Sequence, residues 1–158
     1  MSFQLSDKFS LPSVWSDIEK GYIAGIIDGE GCIGIYKRRN RGYFIQLTIT
    51  NTHKTTMKWL SAKLHANALR HLSDQRPRNK QIFSITVDRI RAAKILEIVK
   101  PYLKIKQAQA DLALNFKQWQ DGQKLNGPNG HRKYDKLDNA IADGFVTTSH
   151  ILNKKGNN

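Results

Sequence analysis

The chain predicts an α+β fold in which helices cover one face of an antiparallel sheet and leave the other face open. Over residues 15–100 the hydrophobic period changes in the order helix, strand, strand, helix, strand, strand, helix. Within the strands, apolar and polar side chains alternate, which marks a sheet with one buried and one wet face. At 158 residues with one cysteine, the chain can bury a core without disulfides, and Cys32 reads as a small apolar residue at a strand start.

Charge narrows the partners. Lys and Arg number 26 against 13 Asp and Glu, a net charge of +13 with a pI of 10.0, which points to a polyanion. The basic residues are spread through the chain, with no polybasic run beside an apolar helix, so nucleic acid is favoured over a membrane surface. No stretch approaches the roughly 18 apolar residues of a membrane span, and the N-terminus lacks a signal peptide's pattern. A soluble, intracellular protein is expected.

Residues 1–12 are mixed and polar and read as an N-terminal arm. Ser13 or Ser16 can cap the helix that follows, with Glu19 in capping-box register to Ser16. Val14, Ile18, Tyr22, Ile23, Ile26 and Ile27 recur at helical spacing and predict a helix over 15–27, apolar on more than one side. Gly21 and Gly25 lie four apart with Ala24 beside them, a small-residue face that lets a second helix approach closely. The helix runs into Asp28-Gly29-Glu30-Gly31, where two glycines would let the backbone turn sharply and expose the Glu30 carboxylate. A carboxylate at a helix C-terminus meets the negative end of the dipole, so a positive partner is expected, a divalent cation being the natural one. An ordinary helix end with a solvated glutamate is the alternative.

Two strands follow, over 32–37 and 43–51, joined by the basic turn Arg38-Arg39-Asn40-Arg41-Gly42. In the second, Ile45, Leu47 and Ile49 alternate with Gln46, Thr48 and Thr50. A helix over 55–64 turns Met57, Leu60 and Leu64 inward, with Trp59 as an anchor. Strands over 68–72 and 81–87, separated by the polar segment 73–80, place Phe83, Ile85 and Val87 toward the core and Ser84, Thr86 and Arg70 on the open face. Ala92, Ile95, Leu96 and Val99 predict a helix over 89–100, ended by Pro101. Ile105, Ala108, Leu112, Phe116 and Trp119 keep step in a fourth helix over 106–120, so that 13–120 reads as one domain. Residues 121–132 read as a loop. A last helix carrying Leu137, Ala140, Ile141 and Phe145, and the basic tail 154–158, complete a C-terminal part packed on the same domain.

The open face thus carries Gly34, Tyr36 and Arg38 from one strand, Gln46, Thr48 and Thr50 from the next, and Arg70, Ser84 and Thr86 beyond, with Arg39, Asn40 and Arg41 at the ribbon tip. A DNA major groove admits such a ribbon, and these side chains suit its edges. A plain solvated sheet face would show the same pattern.

Residues 23–31, Ile-Ala-Gly-Ile-Ile-Asp-Gly-Glu-Gly, resemble position by position the motif that names the LAGLIDADG homing endonucleases. The departures are conservative: isoleucine for leucine, a glycine for the second alanine, and glutamate for the final aspartate. A second segment, Pro101-Tyr102-Leu103-Lys104-Ile105-Lys106-Gln107, resembles the proline, apolar pair and lysine that precede the family's next recognisable helix. The resemblance implies an αββαββα fold over 15–119 with a saddle-shaped sheet laid along DNA, plus C-terminal helices. It implies a site-specific, metal-dependent double-strand endonuclease. One motif copy supplies one acid, so it also implies a homodimer on a pseudo-palindromic site, joined through Gly21, Ala24, Gly25 and Asp28. Glu30 and the Gly29 carbonyl would hold Mg²⁺, a place that Mn²⁺ or Ca²⁺ can also take. His53 would position the attacking water, Lys106 would stand beside the phosphate, and Asp28 would hydrogen-bond around the helix junction. Read alone, His53 is a surface histidine and Lys106 a solvated charge. Met57 stands where some relatives carry a second basic residue, which leaves that part to Lys54 or Lys58.

Gly34-Ile35-Tyr36 also begins the GIY-YIG nuclease signature, but Tyr-Ile-Gly does not follow, and the match is chance. Ile141-Ala142-Asp143-Gly144 echoes the first motif without its final acid and glycine and reads as an ordinary helix end. Two other functions stay open: a non-cleaving DNA-binding protein of the same fold, and an RNA-binding intron maturase that acts on its own intron. A basic ribosomal-type RNA binder would explain the charge but not the acidic turn.

Overall fold

The computed structural model describes residues 15–39, 42–72, 81–123 and 134–154. The arm 1–12, Asn40 and Arg41 of the ribbon tip, the segment 73–80, most of the 121–132 loop and the tail beyond residue 154 lie outside the described residues. Helix α1 (Asp17–Glu30) leads to strands β1 (Gly31–Arg38) and β2 (Gly42–Asn51), then α2 (Lys54–Lys63), β3 (Leu69–Leu72), β4 (Ile82–Asp88) and α3 (Arg89–Val99). A 3₁₀ turn over Lys100–Tyr102 carries Pro101, and α4 (Gln107–Gly122) and α5 (Lys136–Leu152) follow. The fold is α+β in the order αββαββα, with two further helices. The four strands form one antiparallel sheet in the order β1-β2-β4-β3.

The alternation in the strands decides which face is buried. Ile33 and Ile35 of β1, Ile45, Leu47 and Ile49 of β2, and Ile85 and Val87 of β4 all lie in the core. Ile23 and Ile27 of α1, Met57 and Leu60 of α2, Ile95, Leu96 and Val99 of α3, and Phe116 of α4 meet them there. Each such side chain contributes about 1.5–3 kcal/mol on burial. The register of β3 against β4 pairs Arg70 with Ser84, on the face the alternation assigns to both.

Ser16 caps α1 in a capping box: the Glu19 N–H donates to Ser16 Oγ at 3.2 Å, and the Ser16 N–H to Glu19 Oε2 at 3.0 Å. The helix runs three residues past the expected end, through Gly29 and Glu30. Gly31 then caps it in an extended conformation, with φ −86° and ψ 154°, so no left-handed turn is made. Its glycine is required sterically, since a Cβ there would lie 2.6 Å from the Ile27 carbonyl oxygen. Gly31→Ala is expected to cost about 1–3 kcal/mol as an overpacking change. Gly29→Ala, where a Cβ meets nothing within 4 Å, is expected to leave stability unchanged or higher. Urea unfolding of the two variants side by side checks this.

The phase of the last two helices differs from the expectation. Ala110, Ala113 and Phe116 form the buried side of α4, while Ala108 is exposed and Ile105 is 63% exposed. Ile105 precedes the N-cap Lys106, so it sits on non-helical backbone and does not share the helical period. In α5, Ala142 and Ser149 are buried, and Leu137, Ala140 and Ile141 are not. This helix docks on the free edge of β1 through polar groups. The Ile35 N–H donates to Ser149 Oγ at 3.0 Å, and Asn153 Nδ2 donates to the Ile33 carbonyl at 2.8 Å. Such contacts occupy an edge strand's open backbone groups, and apolar periodicity does not reveal them. Residues 141–144 lie inside α5 and not at its end. There Asp143 pairs with Lys37 at 2.9 Å and accepts from Tyr43 Oη at 2.8 Å. Lys37, then Tyr43, hold its carboxyl below the usual range.

Candidate active site and nucleic-acid face

Glu30 is the last residue of α1 and is exposed; among the described residues it makes no hydrogen bond or ion pair. The β1–β2 pairing sets Gly31 opposite Ile49, which brings Glu30 level with Thr50 at one end of the sheet. No basic residue stands in the last turn of α1. The positive group expected there is supplied from elsewhere in the chain: Lys106 Nζ donates to the Asp28 carbonyl at the C-terminal end of α1.

Asp28 makes the reciprocal arrangement. It is 9% exposed, and its two carboxylate oxygens accept the Lys104 N–H at 2.7 Å and the Lys106 N–H at 3.0 Å, just before α4 begins. A carboxylate thus faces the positive start of α4, and an ammonium faces the negative end of α1. Asp28 is engaged within its own chain, in agreement with hydrogen bonding around the helix junction. Ala24, also expected at the interface, is fully buried in the chain's own core. The outward stripe of α1 is instead Ile18, Tyr22, Gly25 and Gly29, at helical spacing i, i+4, i+7, i+11. Ile18 is 86% exposed and Tyr22 51%, and a Cβ at Gly25 or Gly29 would meet nothing within 4 Å. Gly21 is half-buried beside Tyr102.

His53 caps α2. Its Nδ1 accepts from the Thr56 N–H at 3.3 Å and lies 2.7 Å from Thr56 Oγ1, while its own N–H donates to Asn51 Oδ1 at 2.8 Å. With Nδ1 accepting, the neutral ring carries its proton on Nε2. His53 follows the end of β2 by two residues, at the same end of the sheet as Glu30. Met57 is fully buried, so a basic residue at this position would have to be accommodated in the core. Lys54 and Lys58 are exposed, and Lys54 Nζ lies 5.9 Å from the Phe83 ring centre.

The open face forms cross-strand rows that lead away from Glu30. Thr50, Ser84 and Arg70 make the first, with Thr50 Oγ1 donating to Ser84 Oγ at 3.4 Å. Ser84 is buried, so it supports the row rather than lines it. Thr48 pairs with Thr86 and Cys32, Gln46 with Gly34, and Tyr36 with Phe44. Arg38 and Gly42 end the described ribbon. Gly34 itself is covered, because the Tyr36 ring lies across it. Burial, then the neighbouring Cys32, pushes the Tyr36 phenol above its ordinary range, which keeps it neutral.

No family model and no curated protein sequence matches the chain, but solved structures do. It superposes on the homing endonuclease I-CvuI, in complex with a target DNA, at a TM-score of 0.65 with 19% identity, covering 89% of this chain and 85% of that one. The homing endonuclease I-TnaI matches at a TM-score of 0.55 and 16% identity, over 89% and 92% of the two chains. The archaeal intron-encoded homing endonuclease I-Vdi141I, complexed with DNA, matches at 0.52 and 16%, over 85% and 98%. The chain has the LAGLIDADG homing-endonuclease fold. Against the LAGLIDADG meganuclease I-AabMI it covers 87% of its own length but 44% of that chain, with a TM-score of 0.52 and 14% identity. The chain thus spans a little under half the length of that meganuclease.

Within the LAGLIDADG fold, the described residues hold no group of three or more His, Cys, Asp or Glu that could enclose a metal. A lone, unpaired carboxylate beside an unobstructed Gly29 fits a cation such as Mg²⁺, which is commonly held by one or two carboxylates together with substrate phosphates and water. Sequence reasoning missed Phe44. Alternation places it on the open face with Gln46, but its apolar side chain gave no reason to count it there.

Proposed function

We propose that the chain is a site-specific, divalent-metal-dependent DNA endonuclease of the LAGLIDADG family that acts as a homodimer on a long pseudo-palindromic site. The observation that carries this reading is Glu30: an unpaired carboxylate at the end of a helix with an open small-residue stripe, beside a sheet face lined with groove-reading side chains. Two α1 helices packed through Tyr22, Gly25 and Gly29 bring two Glu30 side chains together, one for each DNA strand.

In this site Glu30 and the Gly29 carbonyl would hold the cation. When bound, Mg²⁺ offsets phosphate charge, lowers the pKa of the attacking water and stabilises the leaving 3′ oxygen. Lys106, held at the end of α1, adds positive charge beside the phosphate. His53, whose Nδ1 is taken up by the cap of α2, would orient water through its other ring nitrogen. Arg70, Gln46, Thr48, Thr50 and Thr86 contact base edges, and the surplus of basic residues neutralises phosphates.

Two outcomes follow. Gly25→Arg places a long charged side chain on the α1 stripe and is expected to convert a dimer to a monomer by analytical ultracentrifugation while the fold survives, since the position is open in the single chain. If the dimer neutralises about ten phosphates, log K for DNA falls by roughly nine per decade of salt, which filter binding measures. The function itself is tested by selecting cleaved sites from a randomised duplex library in Mg²⁺. A recovered site with two-fold pseudo-symmetry is expected. Tight, salt-sensitive binding without cleavage of any library member would replace the endonuclease with a non-cleaving binder, and preference for intron RNA would replace it with a maturase.

A further inference from the structure

The open face is polar near Glu30 and aromatic farther out. Tyr36 and Phe44 oppose each other across β1 and β2, with ring centres 6.0 Å apart. The Tyr36 ring fits only because residue 34 is glycine; a Cβ there would lie 2.5 Å from the ring. Its hydroxyl is turned back along the strand to within 4.0 Å of Cys32 Sγ, and the half-buried ring has His150 of α5 6.4 Å away. Phe44 is 6% exposed beneath this cover, and the Arg38 guanidinium rests over its ring at 4.8 Å from the centre. The row nearest Glu30, by contrast, is Thr50, Ser84 and Arg70.

We infer that Tyr36, seated over Gly34 and backed by Phe44, is a specificity-determining residue that reads the C5-methyl group of a thymine, with Arg38 set beside it for a neighbouring guanine. This rests on the reading of the open face as a DNA-binding surface. The thymine methyl is the apolar group that base pairs present in the major groove, so an aromatic surface among polar ones selects for it. Arg38, steered by its stack on Phe44, retains the donors that pair with guanine O6 and N7. The location in the target follows from strand geometry. Tyr36 lies six positions after Glu30, and at about 3.3 Å per step that is about 20 Å. At 3.4 Å per base that is roughly six base pairs from the cut phosphate.

The test uses the full wild-type chain in Ca²⁺ and duplexes selected from a randomised library. In each half-site, thymine is expected roughly six base pairs from the cut phosphate, with guanine adjacent. Replacing that dT by dU removes only the methyl group and is expected to weaken binding about three- to fivefold. Tyr36→Gln, and Gly34→Ser, which displaces the ring, are each expected to bind the dT and dU duplexes equally. Selected sites with no thymine preference in that region, or a dT-to-dU exchange without effect there, overturn this inference and leave the DNA reading standing. Failure to select any duplex sequence overturns both. The dU exchange changes the DNA alone, so it decides the matter even if a variant does not fold.

Discussion

Replacing Glu30 by Gln is expected to leave a protein that folds, dimerises and binds its target, while strand cleavage falls by about 10²–10³-fold or more. The side chain is exposed and has no partner among the described residues, so folding does not depend on its charge. The substitution keeps shape and length and removes the negative charge that would hold the cation. The stability readout is needed beside the activity: an unfolding midpoint within error of the wild type, with cleavage lost, assigns the loss to chemistry. If the variant cuts at the wild-type rate, Glu30 is not the metal-binding acid.

Asp28→Ala is expected to act in the opposite manner, lowering stability first and activity through it. Its carboxylate accepts the Lys104 and Lys106 N–H groups, and hydrogen bonds to a charged group contribute about 1.5–3 kcal/mol each. Their loss together costs about 3–6 kcal/mol. It also frees the start of α4, so Lys106 is no longer fixed over the end of α1. Asp28→Asn keeps one acceptor and is expected to lose about half as much. Urea unfolding of both variants checks the order, and an Asp28→Ala midpoint equal to the wild type contradicts it.

These two residues show what was legible in the sequence. Glu30 stood out because glycines flank it at a helix end, and the helix, strand and turn periods around it carried enough signal to give the sheet face and to place Arg70 on it. The reason offered for Gly31 was conformational, whereas the structure requires it for space against Ile27, a contact between main-chain atoms that no side-chain pattern announces. Asp28 was read as hydrogen-bonding around the helix junction, and Ala24 as part of a small-residue helix face. One proved tied to the α4 start and the other buried, because α1 packs on its own chain over more of its circumference than two glycines suggest. The docking of α5 was hidden for a related reason. It depends on Ser149, Asn153 and Asp143, polar residues whose partners lie more than 90 positions away in the sequence.

The central claim is that two copies of this chain cut both DNA strands in one binding event, each through its own Glu30. The most direct measurement is the conversion of a supercoiled plasmid carrying one selected site, followed over time in Mg²⁺ with wild-type chain, Glu30→Gln, and an equal mixture of the two. The account predicts linear product from the wild type, none from the variant, and nicked circles appearing in the mixture as one-acid dimers form. Linear product that persists undiminished with Glu30→Gln, or no product from any sample although all of them bind the site, would contradict it.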